Sequence, residues 1–278
     1  MRTVAYLGPE HTNAHLAAMR RFGRSARYVH AATVEDVFTL VERRQADCGV
    51  VPIENSLEGA VTHTLDRFID FIETPVTIQG EIEQPIHHCL IVDRGVKLPS
   101  ITQVYSHPQA LAQCRRWLAQ HLPRAALRET SSTADAVSHV LQDPRVRAAI
   151  GRRELALAHR LRAIPIPDDR DNKTRFLILG RGQISQRGRS KTSVLFGLKD
   201  KPGALHDALV PFKHYEINLT KIESRPSKRK AWEYVFFVDI EGHQAQPRVT
   251  QALQALRRQT SLLRILGSYP IATGKVRE

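Results

Sequence analysis

The sequence predicts an α/β protein: two α/β lobes crossed twice by the chain, then a smaller βαββαβ unit. Three observations predict it. Strand-helix alternation runs through residues 3–71 and resumes across 81–164, the signature of a mostly parallel sheet covered by helices. Residues 181–191 are Gly-containing, basic and aperiodic, and read as a linker. The patterning that follows them has a different order. A length of 278 residues favours two domains over one.

The elements follow in order. Residues 3–7 alternate as a strand that Gly8-Pro9 breaks. Residues 14–22 have helical spacing and stop at Gly23. Residues 27–31 form a second strand. Thr33 and Asp36 open a helix to Arg44 as a capping-box variant. Cys48–Ile53 is a buried strand ending in Glu54-Asn55-Ser56, and a helix spans Val61 to Phe71. Residues 76–82 and 86–92 are strands, and Ser106-His107-Pro108 leads into a helix through Leu118. Residues 124–130 are a strand, 134–142 a helix with N-cap hydroxyls, and 147–150 a strand before a helix from Gly151. Pro165–Asp171 is a polar passage back to a buried strand, Phe176–Leu179, closed by Gly180. The first domain is 1–180, with one lobe of 1–80 plus 165–180 and another of 81–164. From 192 to 278, strands at 193–198, 217–223, 232–240 and 261–266 and helices at 204–213 and 247–258 give the ferredoxin-like plan.

Composition excludes several classes. No run of about eighteen apolar residues predicts a membrane span. Cys48, Cys89 and Cys114 are odd in number and scattered, suggesting neither disulfides nor zinc, and fit buried small hydrophobes in a cytoplasm. The formal charge of +13 raises nucleic acid as a partner. The arginines are scattered and aromatics few, so a solvated basic surface is the better reading, and no nucleic-acid or membrane partner is expected.

Asp171-Asn172-Lys173-Thr174-Arg175-Phe176 concentrates an amide, a hydroxyl and a guanidinium at the start of a buried strand. Alternation would point Asn172 and Thr174 together, with Arg175 opposite unless the backbone bends. Arg suits a carboxylate. Taken alone, the stretch reads as a polar turn before a strand, with Arg175 on the surface. A ligand cleft between the two lobes is a common arrangement for such a fold, and Gly8-Pro9-Glu10 and Glu54-Asn55-Ser56 both lie at carboxyl ends of strands, where parallel sheets bind ligands.

Further motifs occur in order: Tyr6-Leu7-Gly8-Pro9; Val51-Pro52-Ile53-Glu54-Asn55-Ser56 with Glu58-Gly59; Ile86, His88 and Leu90; Ser106-His107-Pro108-Gln109 with Gln113-Cys114; Asn172, Thr174-Arg175-Phe176; Pro202-Gly203-Ala204-Leu205; and Glu223-Ser224-Arg225-Pro226. With these motifs the chain resembles the prephenate dehydratases, in the bacterial form carrying a C-terminal ACT regulatory domain. The resemblance spans nearly the whole chain. It implies a periplasmic-binding-protein-like catalytic domain and a carbon–oxygen lyase converting prephenate to phenylpyruvate, carbon dioxide and water without cofactor or metal. It implies that Thr174 addresses the leaving hydroxyl, with Asn55, Ser106 and Gln113 as the other catalytic residues. Arg175, Glu54, Ser56, Thr12, His107, Asn172 and Phe176 would bind substrate. His88 and His107 are the tempting acid–base residues, and both read better as structural.

In the second domain the resemblance implies allosteric L-phenylalanine at Gly203, Ala204, Leu205, Asn218, Glu223, Ser224, Arg225 and Pro226, in a cytoplasmic homodimer or homotetramer. No chorismate-mutase-like helical segment precedes Met1, which suggests a stand-alone enzyme. Three positions depart from the family pattern and bear on substrate preference. His11-Thr12-Asn13 replaces Gly-Thr-Phe, Ala60 replaces Ser, and Gly151-Arg152 replaces Gly-Ser or Ala-Ser. Two alternatives are an arogenate dehydratase and a catalytically silent phenylalanine-binding regulator.

Overall fold

The computed structural model describes residues 1–70, 73–167, 172–186, 188–230 and 232–272. Phe71, residues 168–171 of the polar passage, Arg187 of the linker and 273–278 lie outside the described residues. The chain forms two compact units. One takes in Met1–Glu10, Ala14–Gln84 and the described residues from Arg175 onward; the other comprises His11–Asn13 and Pro85–Thr174.

The first unit opens with β1 (Thr3–Leu7), α1 (Asn13–Phe22), β2 (Arg27–Ala31), α2 (Val34–Glu42), β3 (Cys48–Asn55), β4 (Gly59–Ala60), α3 (Thr62–Asp70) and β5 (Val76–Pro85). Thr33 caps α2 with a reciprocal capping box to Asp36, satisfying donors that the first turn leaves open. A Cβ at Gly49 would lie 2.6 Å from Val37 Cγ1, so the glycine lets α2 sit directly on β3.

The second unit contains β6 (Cys89–Val92), β7 (Gln103–Ser106), α4 (Pro108–Gln113), α5 (Arg115–His121), β8 (Ala126–Glu129), α6 (Thr133–Gln142), β9 (Arg147–Gly151), α7 (Arg153–Ala158) and β10 (Arg162–Pro165). The chain then returns through β11 (Lys173–Arg181) to the sheet of the first unit, in the order β2-β1-β3-β11-β5 with β4 paired to β3. The second unit's sheet runs β10-β6-β9-β7-β8. There β7 pairs parallel with β8 and β9, and β6 pairs antiparallel with β9 and β10. The carboxyl ends of β7 and β9 therefore share one edge with the start of β6.

Two expectations need correction here. The helix expected through Leu118 breaks at Cys114, whose backbone (φ −97°, ψ 10°) caps α4 before α5 begins. No Pro or Gly marks that break. A strand at Arg162–Pro165 was not foreseen; it pairs along β6.

The remaining elements are β12 (Ser190–Leu198), α8 (Ala204–His214), β13 (Leu219–Pro226), β14 (Tyr234–Glu241), α9 (Pro247–Gln259) and β15 (Thr260–Pro270), in the sheet order β13-β14-β12-β15. That is the ferredoxin-like βαββαβ arrangement. Alternation gives the sheet two apolar faces. Val194, Phe196, Val238 and Ile240 pack with Phe212 and Leu256 of α8 and α9. Leu195, Val235, Phe237, Leu266 and Tyr269 pack instead with Ile53, Ile78 and Leu177 of the first sheet and Leu65 and Phe68 of α3. A Cβ at Gly267 would lie 2.1 Å from the Ile78 carbonyl oxygen, so β15 and β5 touch backbone to backbone. The stretch at 181–191 thus joins two sheets that share one core.

Candidate active site

The predicted site residues fall into two groups. In the first unit Asn55 ends β3 and is buried; its Oδ1 accepts from Leu57 N at 3.0 Å and Glu58 N at 3.3 Å. The side chain folds the following turn, leaving Ser56 exposed beside it. Glu54 precedes it, and its Oε1 lies 3.0 Å from Arg175 Nε as an ion pair whose N–H is not aligned for a hydrogen bond. Its Oε2 pairs with Lys221 of β13.

Arg175 has partners other than the expected substrate. It is 8% exposed, and its Nη1 donates to Glu81 Oε2 at 3.1 Å and Asp239 Oδ2 at 2.7 Å. Lys191 reaches Glu81 at 3.1 Å, and Ser193 Oγ donates to Asp239 Oδ1 at 2.6 Å. Arg175, Lys191 and Lys221 thus face Glu54, Glu81 and Asp239 in a charge-balanced cluster between β3, β5 and β11 on one side and β12, β13 and β14 on the other. Burial works against the Arg175 charge, but Asp239 and Glu54 outweigh it and raise its pKa above the ordinary value. Burial likewise works against ionised Glu54, yet Arg175 and Lys221 hold its pKa below the ordinary value. Phe176 is 2% exposed and packs in the core with Val4, Tyr6 and Ile82. Alternation along β11 explains both side chains, since each follows Thr174 into a sheet covered on its faces.

The second unit holds the other group. Gln113 Oε1 accepts from Asn172 Nδ2 at 2.9 Å and lies 2.7 Å from His88 Nε2. An amide oxygen only accepts, so His88 donates from Nε2. Asn172 is 1% exposed, and its carbonyl accepts from Ile86 N at 2.8 Å. These bonds pin the backbone two residues before Thr174, which is half-buried. Ser106 ends β7 fully buried and donates to the Ile150 carbonyl at 2.8 Å. His107, not Ser106, caps α4, accepting from Gln109 N through Nδ1 at 3.3 Å. Thr12 is half-buried and follows His11, whose φ is 63°. Among the described residues no group of His, Cys, Asp or Glu is arranged to hold a metal, and no helix is long and apolar enough to cross a membrane. Cys48, Cys89 and Cys114 are buried, and burial pushes the Cys48 thiol up to about 11.

In the ferredoxin-like domain Gly203 has φ 76°, the left-handed region that favours glycine, at the N-cap of α8. Ala204 is buried beneath it, while Leu205 and Asn218 are exposed. Along β13 alternate residues face outward, so Ser224 and Pro226 are exposed and Glu223 and Arg225 are half-buried. The Arg225 guanidinium grips Asp66 of α3 at 3.0–3.2 Å, a structural partner that its sequence neighbours did not indicate.

A prephenate dehydratase family model matches residues 4–184, and an ACT domain model matches 192–258. The chain belongs to the prephenate dehydratase family. It is 48% identical over 97% of its length to a bifunctional chorismate mutase/prephenate dehydratase of Aquifex aeolicus, covering 74% of that protein. It is 36% identical over 99% of its length to the prephenate dehydratase of Amycolatopsis methanolica, covering 90% of it. Its fold matches the crystal structure of an Arthrobacter aurescens prephenate dehydratase in complex with L-Phe, with a TM-score of 0.86, 36% identity, and coverage of 96% of this chain and 89% of that one. As a dehydratase of this family the chain is a carbon–oxygen lyase.

Proposed function

We propose that the protein converts prephenate to phenylpyruvate in L-phenylalanine biosynthesis and is regulated by L-phenylalanine at its C-terminal domain. The family match over residues 4–184 carries the reading. In this reaction the bond to the ring carboxylate breaks, its electron pair aromatises the ring, and the ring hydroxyl leaves and takes up a proton as water. The leaving oxygen needs a donor. Thr174 is a poor free acid, so it polarises that oxygen by hydrogen bonding and relays a proton. Asn172 and Gln113 hold the segment that presents it. Asn55 orients substrate from a turn that its own side chain fixes.

The ion cluster supports the regulatory part. Glu54 adjoins Asn55 and pairs with Lys221; Arg175 adjoins Thr174 and pairs with Asp239. A ligand that shifts β13 or β14 moves the neighbours of both proposed catalytic residues. The effector's carboxylate would be held at the N-terminus of α8 beside Gly203, with the Glu223–Pro226 segment completing the site in a homo-oligomer of the cytoplasm.

The test offers prephenate and arogenate in parallel to the purified protein, with and without L-phenylalanine. Phenylpyruvate from prephenate, with a rate altered by L-phenylalanine, is the expected result. Turnover of arogenate alone would move the substrate assignment to the altered His11–Asn13 segment. L-Phenylalanine binding with no turnover of either would favour the silent regulator. Lys221→Met should retain prephenate turnover and lose most of the phenylalanine response; a full response would remove the cluster from the coupling.

A further inference from the structure

We propose that Arg152 is a receptor on the second unit for the carboxylate that the substrate keeps through the reaction. This rests on the dehydratase reading above. Arg152 follows the last residue of β9 and caps α7. The parallel pairing of β9 with β7 brings this position to the strand end that carries Ser106, and Ser106 Oγ donates to the Ile150 carbonyl at 2.8 Å. Antiparallel pairing sets Cys89 opposite Gly151, so His88, the partner of Gln113, lies at the same edge. Gly151 itself is tightly enclosed: a Cβ there would lie 2.9 Å from Ile91 Cδ1. The guanidinium therefore springs from a fixed backbone.

The residue is 8% exposed, and its buried Nη1 has no hydrogen-bond partner among the described residues. The charge that acts on it is that of Glu154, an exposed residue on the same short helix. Arg175, equally buried, meets three carboxylates. A buried guanidinium nitrogen with no hydrogen-bond partner among the described residues is costly and is retained where something supplies that partner. Burial pushes Arg152 down to about 10, which leaves it cationic at neutral pH. Its planar fork matches a carboxylate through paired N–H donors.

Chemistry selects which carboxylate. The ring carboxylate loses its charge as carbon dioxide forms. A cation there would stabilise the ground state more than the transition state and slow the step. The side-chain carboxylate stays ionised throughout and survives in phenylpyruvate. Arg152 on that group gives uniform binding, which appears in KM and not in kcat.

The experiment compares the wild-type chain with Arg152→Gln and Arg152→Lys. For Arg152→Gln, KM for prephenate should rise roughly 10- to 100-fold, the value of a charge-assisted hydrogen bond, with kcat within about threefold. The inhibition constant of phenylpyruvate should rise by the same factor, and Arg152→Lys should recover part of both. Arg152→Gln should melt no lower than wild type, because a buried charge with an unbonded Nη1 among the described residues is removed. Unchanged KM and phenylpyruvate inhibition would overturn the proposal, as would a loss confined to kcat or to stability. A wild-type chain inert toward prephenate would sink the dehydratase reading and this proposal together; an active one with an indifferent Arg152→Gln sinks only this one.

Discussion

Gln113 accepts two hydrogen bonds through one carbonyl oxygen, from Asn172 and His88. Gln113→Leu removes that acceptor and leaves two donors in a mostly buried setting. Each lost hydrogen bond costs about 0.5–1.5 kcal/mol, so thermal denaturation should show a loss of stability; an unchanged melt would mean that the three side chains are not mutually dependent. Gln113 and Asn172 stand out in the sequence as motif positions. Their mutual bond was not, because nothing local links positions 59 residues apart. Arg175 shows the limit more sharply. Its neighbours alone gave a surface cation and the family resemblance a substrate-binding one, yet the carboxylates it meets are the sequence-distant Glu54, Glu81 and Asp239. Three acids converging on one Arg leave no trace in a hexapeptide.

At the scale of elements, β11 carries the argument. Its first two residues, Lys173 and Thr174, belong to one unit, and the rest of the strand lies in the sheet of the other. The apolar run with a closing Gly made the strand readable, but its place between β3 and β5 depends on long-range pairing that periodicity does not encode. The six elements of the C-terminal domain, four strands and two helices, were readable in order because each alternates or repeats cleanly. The break at Cys114 was not, since tertiary packing and not a breaker residue ends α4. Asp239 of β14 is the element-level test. Removing one partner of a buried ion pair typically costs about 3–5 kcal/mol. Asp239→Asn should lie near the lower end of that range, because Glu54 and Glu81 remain on Arg175. Chemical denaturation measures it, and a loss under about 1 kcal/mol would show that the pair is dispensable.

For the molecule as a whole, the first sheet and the ferredoxin-like sheet share one apolar core and one ionic cluster. The sequence suggested a linker between domains; it could not show that Leu195, Phe237 and Tyr269 would cover Ile53, Phe68 and Ile78. The cluster also sets an acid response. The pKa of Glu54 is depressed on folding below its ordinary 4.5. A depressed carboxyl contributes stability that is fully present above its unfolded pKa and is lost as pH falls through the folded value. The melting temperature should therefore fall as pH drops below about 4.5, and Glu54→Gln should flatten part of that limb. An identical acid limb in the variant would remove Glu54 from the linkage.

Thr174 is where the reading of the sequence and the proposed chemistry meet. The most direct measurement is phenylpyruvate formation from prephenate by the wild-type chain and by Thr174→Ala, each checked for an unchanged melt. The wild-type chain should turn over prephenate, and the variant should lose a factor on the order of 10²–10⁴ in kcat, the range of a positioned proton donor. A wild-type chain that forms no phenylpyruvate would contradict the assigned reaction, and a variant as fast as wild type would contradict the role of the hydroxyl.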